Sequence, residues 1–273
     1  MVRRVAYLAA VCGLVPGLAG CASSLIGGFV EQRPSWRQTA EEACMVGHQF
    51  ASSPYIVPAK EIDGKGICGL EYPLKVSAFA SGSVAVGPDA TLGCPITDAV
   101  EGWLQDSIQP AAIAWFGEPV VELKQISDYS CRTRNNIHGA KLSEHAFGNA
   151  LDVAGFVFAS GRVVTVRKGW KGDADEQGFL REVAATGCAR FTTFLGPGAR
   201  YHGDHFHVDL AHHGQSGTSR YCKPMPLVTP PERAPYVPSV VAGRMPVPVH
   251  TGSLTPDPFG VEKMQAPMSY SAN

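Results

Sequence analysis

Two short stretches hold most of the side chains able to do chemistry. Residues 143–156 read SEHAFGNALDVAGF and residues 201–210 read YHGDHFHVDL. In the second, His205 and His207 alternate with Phe206, Val208 and Leu210. That two-residue period belongs to a strand and places both imidazoles on one face. In the first, six residues separate His145 from Asp152, with Gly148 between them where the chain can turn. Leu151, Val153 and Phe156 suggest a strand under Asp152. A loop that feeds a strand can bring an imidazole and a carboxylate to one point. His207, arriving on another strand, then completes a His/His/Asp set for zinc and leaves a fourth position for water.

Position assigns roles to the neighbours. Asp204, three residues ahead of His207, can act from the strand entrance as general base on that water. Zinc would lower the water's pKa and polarise a scissile carbonyl. His205, not needed as a ligand, is left to stabilise an oxyanion or hold substrate. On ten residues alone, a strand with solvent-facing histidines would be the better reading; His145 and Asp152 reverse that preference. His202, His212 and His213 read as surface or loop hydrogen-bonding residues. Asp209 points away or supports a ligand from behind. Glu144 is a pocket residue or an exposed loop carboxylate, and Ser143 bonds within the loop or the cleft. Trp170 and Phe179 read as core.

The positioning elements follow from periodicity. Strands are expected at 74–79, 120–126, 150–158, 162–166 and 206–210, with Ser160-Gly161 as a hairpin turn between the third and fourth. A short helical start falls at 39–43. Residues 95–116 have helical spacing, with Thr97 or Asp98 as N-cap and Pro110 as a kink or break. A second amphipathic helix covers 176–191. The fold class expected is α+β: one disulfide-braced domain over 41–222, with a small mixed or antiparallel sheet and flanking helices.

The flanks differ. Residues 1–20 have a basic start at Arg3 and Arg4 and an apolar run too short to stay as a membrane span. They end in Leu18-Ala19-Gly20-Cys21, which resembles a lipobox, so Cys21 is the expected lipidation site, with 21–40 as a tether. Ala22 stands where an inner-membrane retention signal usually has Asp, which favours a periplasmic, lipid-anchored protein at the outer membrane. Cys44, Cys68, Cys94, Cys131, Cys188 and Cys222 remain, an even set suited to an oxidising compartment. None forms a CxxC pair, which argues against a zinc–thiolate site. Local stapling predicts the pairs 44–68, 94–131 and 188–222. Beyond Cys222, eleven of the chain's 21 prolines fall in a stretch without periodicity. Residues 223–273 are therefore expected to be a disordered tail. A net charge of −1 gives no support for nucleic-acid binding.

The H-x6-D segment followed by D-H-x-H resembles the zinc peptidase superfamily of lysostaphin-type enzymes, D-Ala-D-Ala metallopeptidases and the Hedgehog domain. More closely, SDYSCRTRNN, SEHAFGNALDVAGF, FLGPGARYHGDHFHVDL and the cysteine positions resemble the bacterial extensin-like C-terminal family. The resemblance implies a Hedgehog/D-Ala-D-Ala-peptidase-like fold and one zinc on His145, Asp152 and His207. It puts Asp204 in the place of the acid/base, where many superfamily members have the longer Glu. A substrate-gripping Arg falls at Arg132 or Arg134. Together these imply a zinc peptidase acting on peptidoglycan, an endopeptidase in preference to a D,D-carboxypeptidase. A non-catalytic zinc-holding wall-binding lipoprotein is the rival from another class.

Overall fold

A computed structural model describes residues 32–48, 53–226 and 229–234. The stretch read as a leader, Cys21 and most of the Pro-rich tail lie outside the described residues. In chain order come helix α1 (Ser35–Gly47), strands β1 (Ile56–Pro58), β2 (Ile62–Asp63), β3 (Gly69–Leu70), β4 (Leu74–Phe79) and β5 (Val84–Leu92), then helices α2 (Cys94–Trp103) and α3 (Gln109–Phe116). Next are β6 (Val120–Ser127), β7 (Ala150–Phe158), β8 (Val163–Thr165), α4 (Val166–Gly169), α5 (Ala174–Arg190), β9 (Thr193–Leu195), β10 (Phe206–Asp209) and β11 (Tyr221–Lys223).

The main sheet runs β1-β4-β5-β6-β7-β10-β9-β11. It is antiparallel except at β5/β6 and β9/β11, so the architecture is mixed α+β with a mostly antiparallel sheet. One edge of β7 is shared: β10 pairs with its first half and β8 with its second. Leu151, Val153, Phe156, Phe206 and Val208 from β7 and β10 join Trp103, Phe179, Phe191 and Phe194 in the core. Alternation then leaves Asp152, His207 and Asp209 on the opposite face. Phe179 is fully buried as expected, while Trp170 is partly buried and packs against the core cluster.

Several boundaries differ from expectation for local reasons. The helix expected from Thr97 or Asp98 starts earlier, at Cys94, with Gly93 before it and Pro95 in its first turn, where a missing N–H costs nothing. Before Pro110 the chain widens into a π-turn over Leu104–Ile108, the break that a proline without an N–H imposes. The helix expected at 176 starts at Ala174, because Asp173 caps it by accepting from Glu176 N at 2.9 Å.

Two corrections matter more. Helix α1 starts at Ser35, so the last residues of the stretch read as tether belong to the folded body. At the other end Arg233 pairs with Glu182 on α5, at 2.6 Å, which fastens part of the expected tail to the domain. The disulfides are Cys44–Cys94, Cys68–Cys131 and Cys188–Cys222. Only the last matches nearest-neighbour pairing. The first joins α1 to the start of α2, and the second ties the β2–β3 turn to the loop after β6. Cysteines adjacent along the chain are here carried by elements that pack elsewhere.

Candidate metal centre

Strand register brings the second and third predicted ligands together. His207 on β10 lies directly across from Asp152 on β7, and cross-strand partners present side chains to the same face. His145 comes from a 3-10 turn, Glu144–Phe147, that ends at Gly148 with φ +60°. A Cβ at Gly148 would lie 2.5 Å from Leu70 Cδ2, so both the turn and the space require glycine.

The candidate donors converge. His207 Nδ1 is 2.8 Å from Asp152 Oδ1 and 3.1 Å from His145 Nε2, and His145 Nε2 is 3.2 Å from Asp152 Oδ1. Donors about 2.0–2.1 Å from a tetrahedral zinc stand roughly 3.3–3.4 Å apart. The triangle therefore fits that ion after an opening of a few tenths of an ångström. All three residues are buried.

The outer ring nitrogens are also committed. His145 Nδ1 donates to the Asp128 carbonyl at 2.7 Å, which leaves the Nε2 lone pair facing inward. His207 Nε2 meets Asp209 Oδ2 at 2.8 Å, and Asp209 Oδ1 accepts from Ala211 N. Asp209 thus stands behind His207 and holds its outer nitrogen. Such partners fix tautomer and ring orientation at metal sites.

Electrostatics favour a cation here. Burial would raise the Asp152 carboxyl, but the His145 and His207 imidazoles beside it hold it well below the ordinary value. Burial would likewise lower His207, yet the flanking Asp152 and Asp209 carboxylates push it up to about 10. An imidazole held between two buried carboxylates calls for a positive charge, a proton or a metal.

The other predicted residues surround this centre. His205 Nε2 is 3.8 Å from Asp152 Oδ1, while its Nδ1 meets Asp204 Oδ1 at 2.8 Å. Asp204 is half exposed and turned toward His205. Arg132 Nη2 stands 3.5 Å from Asp152 Oδ2, and Arg134 is exposed at the rim. Ser143 is buried and, with both arginines, lines a cavity of about 450 Å³ whose floor includes Asp152 and His207.

Sequence reasoning missed His202. It is buried, lines the same cavity, and its ring lies 5.1 Å from that of His205. Burial lowers its pKa, and Nδ1 donates to the Arg200 carbonyl at 2.7 Å, which leaves Nε2 as an acceptor. The available signal was the close spacing of His202 and His205; the chain turns just ahead of them, where His202 N bonds the Ala199 carbonyl at 3.2 Å and Tyr201 takes φ +70°. His213 lines the cavity too and bonds Thr193, whereas His212 stacks on Trp36. Glu144 is buried against Arg37 and touches the cavity wall, not an exposed loop carboxylate.

Cys44, His48 and Cys94 form a second cluster of metal-ligating types, but its two sulfurs are joined in a disulfide.

The family model described as Extensin-like protein C-terminus matches residues 42–223, and the chain belongs to that family. No curated protein matches the chain, and no solved structure does.

Proposed function

We propose that this member of the extensin-like C-terminal family is a zinc-dependent peptidase of the bacterial envelope, lipid-anchored through Cys21. Its substrates would be amide bonds in peptidoglycan stem peptides or cross-links, with endopeptidase action favoured. The superfamily of lysostaphin-type and D-Ala-D-Ala metallopeptidases is its proposed wider home. One observation carries the reading: three buried donor groups converge within 3.2 Å of one another, two of them, on Asp152 and His207, lining a cavity that three further imidazoles and two arginines also line.

His145, Asp152 and His207 would hold the ion. Zinc bound there supplies Lewis acidity, which polarises a carbonyl and acidifies water. The chain's own residues divide the remaining work. His205, with Nε2 facing the ligands and Nδ1 on Asp204, accepts a proton at Nε2 while Asp204 stabilises the resulting imidazolium. On this reading Asp204 acts through His205 and not directly. His202 Nε2 receives a substrate N–H. Arg132 steadies the second oxygen of Asp152, which leaves Arg134 to grip a substrate carboxylate or carbonyl.

Digestion of purified sacculi by the protein lacking residues 1–21, with products separated and weighed, tests this. Loss of cross-linked dimers that depends on both metal and His205 is the expected result. Intact sacculi in the presence of folded, zinc-loaded protein would leave the non-catalytic wall-binding reading. That rival draws on the outward position of Asp204.

A further inference from the structure

We infer that the chain just ahead of the family-matched span is a built part of the metal centre, with Arg37 as its positioning residue. The inference rests on the metal reading above. The match begins at residue 42, whereas Arg37 lies in the first half of α1.

Its guanidinium makes two parallel bonds to Glu144, each 2.7 Å, and both side chains are buried. Glu144 immediately precedes His145. The same guanidinium lies 3.9 Å from the Phe147 ring centroid, two residues beyond His145, and 4.3 Å from that of Trp36. Asn149 completes the grip by donating Nδ2 to Glu144 Oε2 at 2.7 Å. One planar cation therefore holds the chain on both sides of a ligand.

A second contact reaches the chain where it leaves β10. Trp36 stacks on His212 at 3.6 Å, next to Ala211, whose N–H bonds the carboxylate behind His207. Arg33 anchors the same helix by donating to Gly69 O at 2.7 Å and pairing with Glu41. Helix α1 thus touches both segments that carry imidazole ligands. A buried Arg–Glu pair adds little stability over an apolar pair of the same shape, so its two-point geometry is what an apolar pair would not supply.

The test measures zinc affinity by competition with a chromophoric chelator, and the visible spectrum of the cobalt form, on the full chain. Variants are Arg37→Met, Arg37→Lys, the double Arg37→Met/Glu144→Gln, and His145→Ala. Val76→Ala, which opens a cavity on β4, controls for general destabilisation. Arg37→Met is expected to weaken zinc at least about tenfold, the lower end for groups that orient ligands from behind. The double variant, with no buried charge left unpaired, should regain thermal stability but not affinity. Arg37→Lys should recover part of the affinity, and Val76→Ala should lower the melting temperature without moving it. Wild-type affinity and cobalt spectrum in the double variant would overturn the role of Arg37 alone. A wild-type chain that binds no zinc, or a His145→Ala variant that binds it equally well, would sink the metal centre and this inference with it.

Discussion

Among the described residues, metal-ligating types gather in two places, and one of the two is arranged to use them. At Cys44, His48 and Cys94 the sulfurs are bonded to each other, and the imidazole is tied to the Cys44 carbonyl and to Asp98. At His145, Asp152 and His207 the inward nitrogens face a common carboxylate, while each outer nitrogen has its own partner. Proximity of the right elements is common to both clusters. What separates them is whether the lone pairs are spare and aimed, which depends on the groups behind the ligands.

The sharpest way to break this contrast is to remove a donor from each cluster. His207→Ala or Asp152→Ala is expected to abolish zinc uptake and any hydrolysis, as metal analysis and a sacculus assay would read. Cys44→Ser/Cys94→Ser should leave zinc content untouched. Next in size is His205→Ala, expected to lower turnover by about 10²–10⁴ while zinc remains bound. Unchanged turnover in that variant would remove His205 from the chemistry.

The Cys44–Cys94 bridge should matter for stability instead. Replacing both cysteines by serine should cost about 2–4 kcal/mol, measured as a fall in denaturant midpoint in a chain with normal zinc affinity. Smaller again is Asp204→Asn, expected to slow turnover roughly tenfold if Asp204 works through His205. A loss as large as that of His205→Ala would make Asp204 the direct base.

pH gives the mildest comparison. In metal-free protein the raised pKa of His207 contributes stability that is full below its unfolded value, ordinarily near 6.5, and lost as pH rises through about 10. The lowered carboxyls of Asp152 and Asp209 contribute stability present above their ordinary value and lost as pH falls through the depressed one. Metal-free midpoints should therefore fall on both sides of neutrality. The alkaline fall should shrink when zinc replaces the proton on His207.

Much of this centre was legible because it is written in local spacing. Alternation at 205–209 and the H-x6-D step placed three candidate ligands on two strands and a turn, and strand register joined the two on strands. What escaped has a common physical character. His202 is brought to the cavity by the Ala199–His202 turn, in which Tyr201 takes φ +70°, and no periodicity marks it. Arg37 falls in the stretch read as a tether, and nothing local marks it as part of the fold until its partner 107 positions away is known. The Cys44–Cys94 and Cys68–Cys131 pairings depend on how α1 and the loop after β6 pack, which spacing along the chain does not encode. Arg233, in a proline-rich stretch, docks by its charge and not by apolar burial.

Zinc K-edge X-ray absorption on the full chain, purified without added metal and then loaded with one equivalent, tests the central claim most directly. The predicted spectrum shows nitrogen and oxygen scatterers near about 2.0–2.1 Å, including imidazole multiple scattering, and no sulfur. Sulfur at about 2.3 Å would place the ion at cysteines instead, and failure to retain zinc would contradict the His145–Asp152–His207 centre outright.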